Sequence, residues 1–182
     1  MDSDTLRQLL RPAAFPHPSA DIALRETHIS WVILAGEFAY KIKKPVNFGF
    51  LDFSTPELRR HFCEQELALN RRYAPAIYLG LARITADPEG PRFDGDGLVI
   101  DYAVKMHRFD ESQLLDNIAA RGELERPLVR AVARELAERQ RDAPVCHPGP
   151  DSDEPGSPAV LREAMAQNFR QVRDYHLAPD QI

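Results

Sequence analysis

The sequence predicts an α+β fold: a five-stranded antiparallel sheet with one helix inserted after its third strand, followed by an all-helical segment. Three observations predict it. Short runs rich in β-branched and aromatic residues, separated by turn residues, recur up to Met106. One stretch of apolar residues at helical spacing interrupts them. After Met106 nothing reads as strand, so a sheet-bearing part over 1–105 precedes a helical part over 106–182.

Taken in order, Asp4 to Leu10 makes one or two helical turns with Leu6, Leu9 and Leu10 on one side. Pro12 and the run Phe15-Pro16-His17-Pro18 close it, giving a packed N-terminal appendage. Ile22 to Thr27 is the first strand, Thr27 to Ser30 a polar turn, and Trp31 to Leu34 the second strand. Gly36 allows the tight reversal. On the returning strand Phe38, Tyr40 and Ile42 face one way and Ala39, Lys41 and Lys43 the other, because successive side chains alternate. Pro45 ends the ladder. After a loop with Phe48, Gly49, Phe50 and Phe53, Ser54-Thr55-Pro56-Glu57 starts a helix with a hydroxyl cap and an early proline. That helix is expected to run to about Tyr73, with Leu58, Phe62, Leu69 and Tyr73 at helical spacing and Cys63 and Leu67 beside them.

Ile77 to Ala86 is the fourth strand and Leu98 to Met106 the fifth, with turns at 87–91 and 93–97 between them. Beyond Asp110, Gln113 to Ala120 is a short helix and Arg126 to Gln140 a long one with Leu128, Val132 and Leu136, and Val129 as a further candidate, on its buried side. Residues 143–158 are too rich in proline for regular structure, and a last helix covers Ala159 to Tyr175.

With 182 residues, of which 43% are hydrophobic, the chain makes one globular domain or most of a larger one. A net charge of -5 gives no general attraction to nucleic acid or an anionic membrane, so phosphate binding needs a local cluster. The pairs Arg59-Arg60 and Arg71-Arg72 read as solvated helix charges. Cys63 and Cys146 have no second cysteine or histidine at a full metal-ligand spacing, which predicts free thiols in a reducing compartment. The start lacks the pattern of a signal peptide and no apolar run spans a bilayer, so a cytoplasmic location is expected.

The odd residue is Lys41, a charge inside an apolar alternation: either an exposed strand lysine or an anion ligand. Three signals favour the second: Ala39-x-Lys41 on the third strand, a glutamate-bearing helix directly after it, and a fifth strand leading into helices. That is the order of a protein-kinase-like small lobe and hinge. There a lysine holds the α- and β-phosphates of a nucleotide and a helix carboxylate orients it. Glu66 is the candidate carboxylate and Glu64 the weaker one; Lys43 shares the face of Lys41 and competes with it, while Lys44 reads as an exposed charge. Ala39 leaves room for adenine. Thr27-His28-Ile29-Ser30 occupies the place of a glycine-rich loop without any glycine, so His28 and Ser30 are candidates to donate to phosphate, or His28 caps the hairpin turn. Met106 and His107 would offer backbone groups to the base.

The stretches Thr27-His28-Ile29-Ser30-Trp31-Val32, Ala39 to Pro45, Phe48 to Ser54 and Glu66 to Arg72 resemble the N-terminal part of the aminoglycoside-phosphotransferase-like proteins that are often fused to a P-loop ATPase or kinase domain. The resemblance covers nearly the whole chain. It implies a protein-kinase-like fold, ATP and Mg²⁺ as cofactors, phosphoryl transfer to an unspecified small-molecule hydroxyl, and a fused or associated P-loop ATPase or kinase domain as partner. The departures are in the chemistry. His107-Arg108-Phe109-Asp110 mimics a His-x-Asp catalytic loop but falls where the hinge belongs, and Leu115 stands where the loop's asparagine is needed. Asp94-Gly95-Asp96-Gly97 mimics a metal-binding Asp-x-Gly but reads as turn chemistry. No Walker A pattern is present. No catalytic or metal-binding residue is therefore assigned, and the chain is expected to be an incomplete phosphotransferase ending before its catalytic loop. The alternative is a non-catalytic nucleotide-binding or interaction module that keeps the lobe.

Overall fold

A computed structural model describes residues 1–143, 145, 147, 149 and 156–174. The chain forms two compact units, Met1–Val132 and Ala133–Ile182. The first is α+β and holds an antiparallel sheet of six strands in the order β1-β2-β3-β6-β4-β5. These are β1 (Ala23–Glu26), β2 (Ser30–Ala35), β3 (Phe38–Lys43), β4 (Tyr78–Asp87), β5 (Gly90–Phe93) and β6 (Leu98–His107).

The sheet has one strand more than the five expected. Gly90-Pro91 reads locally as turn, yet β5 folds back on β4 with Asp87 opposite Gly90 and Ile84 opposite Phe93. Proline is tolerated there because β5 is an edge strand, where a missing N–H interrupts no central ladder. Burial of Pro91 and Phe93 supplies the gain.

β3 and β4 each run antiparallel to β6, which lies between them, so they are parallel to one another. Parallel strands cannot be joined by a hairpin. The crossover is the helix α2 (Pro56–Asn70), which packs over β6 and β4. Thr55 caps it by accepting from the Leu58 amide, and Pro56 takes the first turn, as expected.

α2 ends at Asn70 rather than Tyr73, and its buried stripe is Arg59, Cys63 and Leu67. Leu69 and Tyr73, expected on that stripe, are 56% and 45% exposed. The displaced stripe follows from a charge. Arg59, expected in solvent, is wholly buried against Asp101 of β6: its Nε donates to Oδ1 at 2.8 Å and its Nη2 to Oδ2 at 2.9 Å. Nη1 donates to the carbonyls of Phe53 and Ser54. At the other end of α2, the Arg71 guanidinium donates to the carbonyls of Tyr78 and Leu79.

The two sheet faces differ. One buries Ile33, Ala35, Tyr40, Ile42 and Ile84 under the N-terminal appendage, in which α1 (Ser3–Leu9) and a 3-10 turn (Pro12–Ala14) contribute Leu6, Leu9 and Ala14. Tyr40 lies 4.2 Å from the Phe93 ring and shares a hydrogen bond with His17 Nε2 at 3.0 Å. The other face buries Leu34, Ala39, Val104 and Met106 with Cys63 and Leu67 of α2.

After β6 come a 3-10 turn (Glu111–Gln113), α3 (Leu115–Ala120) and α4 (Arg126–Arg141). No residue of α4 is fully buried: Leu128 and Val132, expected on its buried side, are half-buried, while Leu136 and Val129 are exposed. The second unit holds α4 from Ala133 onward and α5 (Pro158–Asp174). Cys146, Tyr175 and most of the proline-rich stretch lie outside the described residues. Cys63 is a free, buried thiol. No helix among the described residues is long and apolar enough to cross a membrane.

Removing one partner of a buried ion pair strands the other charge in a low-dielectric interior. Asp101→Ala is therefore expected to lower unfolding stability by about 3–5 kcal/mol in urea titrations. A loss below about 1 kcal/mol, the worth of an exposed pair, would show that the pair does not anchor α2.

Candidate functional site

Alternation along β3 sends Ala39, Lys41 and Lys43 toward α2. The register sets Lys41 between Val32 of β2 and Val104 of β6, and Ala39 opposite Met106. On α2, Glu66 follows Cys63 by three positions and precedes Leu67, so it comes down beside the buried stripe.

Glu66 meets both lysines. Its Oε1 accepts from Lys41 Nζ at 2.8 Å and its Oε2 from Lys43 Nζ at 2.8 Å. The side chains of Lys41, Glu66 and Lys43 are 32%, 13% and 7% exposed, so the triad runs from a half-open ammonium to a closed one. Lys43 Nζ also stands 4.8 Å from the centre of the Phe53 ring. Burial alone pushes the Glu66 carboxyl up; the hydrogen bonds and charges of Lys41 and Lys43 outweigh it and hold the group below the ordinary glutamate range. Glu64, the other candidate carboxylate, pairs with Arg60 on the exposed side of the helix. Burial pushes the neighbouring Cys63 thiol up to about 12, leaving a neutral, unreactive group.

Lys41 borders a cavity of about 310 Å³ whose apolar walls come from Val32 and Leu34 of β2, Ala39 of β3, Met106 of β6 and Tyr78 of β4. Arg25 of β1 and Glu111 also line it and pair with each other at 3.3 Å, joining β1 to the segment after β6. Apolar walls with a half-exposed ammonium suit a flat apolar ring that carries an anionic tail.

Of the residues singled out in the sequence, Thr27, Ala39, Lys41 and Met106 line this cavity, and Glu66 joins it through Lys41. His107 lines an adjoining open groove with Gly36 and Glu37; its N–H donates to the Ile77 carbonyl. Ser30 is wholly buried outside the cavity lining, and among the described residues its hydroxyl has no partner. His28 is exposed in a separate shallow hollow with Glu26, Thr27 and Lys44. Thr27 and Ser30 close on each other in the expected turn, Thr27 Oγ1 accepting from the Ser30 amide at 3.0 Å. Lys44, read as an exposed charge, pairs with Glu26 at 2.6 Å beside Trp31.

Val32 and Leu34 were legible in principle, since alternation on β2 puts them on the face of their partners Lys41 and Ala39. Arg25, Glu111 and Tyr78 carry no local signal. Two of the carboxylates that mimic catalytic groups are engaged in turns: Asp94 accepts from the Arg83 amide, and Asp110 from the amide and hydroxyl of Ser112. Among the described residues no three histidine, cysteine, aspartate or glutamate side chains cluster as metal ligands.

A carboxylate whose folded pKa is depressed stabilises the fold above its unfolded value, about 4.5, and ceases to do so as pH falls through the lower folded value. The stability gap between the wild type and Glu66→Gln, read as urea midpoints from about pH 7 down to about pH 3, is expected to narrow with acidification. A gap independent of pH would mean that the ionised carboxylate contributes nothing.

An uncharacterized protein of Mycobacterium bovis is 38% identical to this chain over 124 residues, and uncharacterized proteins of two Mycobacterium tuberculosis strains align with the same identity and length. The aligned stretch is 66% of this chain and 23% of each relative, so the chain spans about a quarter of the length of the curated relatives it matches. No family model matches the chain, and no solved structure does.

Proposed function

We propose that the chain carries the nucleotide-binding lobe of an ATP-dependent small-molecule phosphotransferase of the aminoglycoside-phosphotransferase-like kind. The observation that carries this reading is the Lys41–Glu66 pair bordering an apolar cavity built by β2, β3 and β6. In it, the sheet with α2 is a protein-kinase-like small lobe, and β6 leads through His107 into the hinge. Val32, Ala39 and Met106 would hold the base, Lys41 the phosphates, and Glu66 would keep Lys41 extended toward them. ATP supplies the phosphoryl group. Mg²⁺ belongs to such chemistry, but the described residues offer no donor cluster for it. The base that accepts the hydroxyl proton, the acceptor and a P-loop partner domain are assigned outside the described residues. The buried free thiol of Cys63 suits a reducing, cytoplasmic setting.

One observation favours a second reading, a nucleotide-binding module without chemistry: Asp94 and Asp110 are committed to turns and neither lines a cavity with Lys41. The coding sequence beyond Ile182 separates the two. A His-x-Asp-x4-Asn pattern within several dozen residues supports the phosphotransferase, and a natural stop supports the module.

Both readings require nucleotide binding. In calorimetric titration ATP should bind the wild-type chain, and Lys41→Ala should weaken binding at least about tenfold, the worth of one charge-assisted hydrogen bond, with an unchanged circular dichroism spectrum. Equal affinity in the variant would remove Lys41 from the phosphate site.

A further inference from the structure

Nucleotide binding as proposed uses one ammonium, yet Glu66 holds two, and the second is the more deeply buried. Lys43 does not line the cavity, and Ser30, opposite it in the β2–β3 register, is wholly buried. The hydrogen bond of Lys43 goes to Glu66, so any influence it has on the cavity passes through that carboxylate. Suppose Glu66 had Lys41 alone. Sharing the Lys41 ammonium with a ligand anion would then leave a largely buried carboxylate with only part of one cation, beside a second negative charge, which is unfavourable. With Oε2 already held by Lys43 at 2.8 Å, Glu66 stays compensated whatever Lys41 binds. Two ammonium groups against one carboxylate leave one net positive charge. The neighbouring titratable groups do not cancel it: burial raises the pKa of Cys63 on α2 and of Tyr78 on β4, leaving both neutral, and Asp101 on β6 is matched by Arg59.

We propose that Lys43 is a positioning residue that keeps Glu66 compensated and in place, so that Lys41 can share its ammonium with an anionic group, biasing the cavity toward a polyphosphate-bearing ligand over its uncharged counterpart. The polyphosphate rests on the proposed nucleotide reading; the relation among the three side chains does not.

Two measurements on the full chain test it, and the first needs no ligand. The Glu66 carboxyl carbon is titrated by ¹³C NMR in the wild type, Lys41→Met and Lys43→Met. Glu66 is expected to stay ionised at neutral pH in Lys41→Met, and to titrate in Lys43→Met at a pH higher than in the wild type by at least as much as in Lys41→Met. A wild-type titration in Lys43→Met overturns the proposal. The second compares ATP with adenosine by calorimetry. Lys43→Met should weaken ATP binding about tenfold and leave adenosine unchanged. Lys43→Arg should restore the ATP affinity, and Lys43→Met combined with Glu66→Gln should regain part of it because the uncompensated charge is gone. Equal losses for ATP and adenosine, or no recovery in the double variant, would make Lys43 a packing residue only. Should Lys43→Met fail to fold, Lys43→Gln takes its place. A wild-type chain that binds neither ATP nor adenosine overturns the nucleotide reading, and the carboxyl titration then decides the role of Lys43.

Discussion

The placement of α2 rests on the ion pair between Arg59 and Asp101, and the site depends on that placement. A helix crossing from β3 to β4 over the intervening β6 has freedom to slide and rotate unless something fixes its register. An arginine that is wholly buried, bonded in bidentate fashion to a carboxylate and to two carbonyls, fixes both, because any displacement would leave a desolvated charge with fewer partners. Arg71 ties the far end of α2 to the start of β4. With both ends held, Glu66 in between is delivered to β3 without the lysines having to position the helix themselves.

This division of labour also explains which parts of the molecule were legible in the sequence. Alternation on β3 and the Thr55-Pro56 helix start follow from local patterns decided within a few residues, whereas the pairing of Lys41 with Glu66, 25 residues apart, was expected from the kinase-like order of the elements. The burial of Arg59 does not, because its partner is 42 residues away and nothing near Arg59 distinguishes it from the exposed Arg60. The same distance hides Arg25 and Glu111, which are 86 residues apart. Apolar content misled where it was taken to mean burial: Leu69 faces solvent because the buried Arg59 stripe sets the rotation of the helix, and Tyr73 because it lies in the turn beyond the helix end. At β5 the signal was ambiguous, since Gly90-Pro91 suits a turn and an edge strand equally well, and only the burial of Phe93 decides between them.

The two faces of the sheet divide the work through β3. Phe38, Tyr40 and Ile42 go to the face closed by the appendage, where Tyr40 is held by Phe15, Phe93 and His17 and burial raises its pKa. That aromatic layer makes the strand a rigid support. Its opposite face carries the charged side chains and the cavity beside a smaller apolar core formed with Cys63 and Leu67 of α2. A slip of one residue in register would exchange these faces and bury both lysines in the aromatic layer, so the hydrophobic pattern that stabilises the sheet also fixes the site.

The same alternation accounts for the spacing of the lysines. Residues two apart on a strand lie roughly 6.6 Å from one another and point the same way. Two long side chains rising from such positions can converge on a single carboxylate, one on each oxygen, as Lys41 and Lys43 do on Glu66. Adjacent positions cannot. Lys44, one residue beyond, lies past the end of β3 and goes to Glu26 instead. Three lysines in four residues therefore divide into two that share a helix carboxylate and one that braces β1. The pair at Glu66 is a consequence of strand geometry acting on a helix already held in place by Arg59.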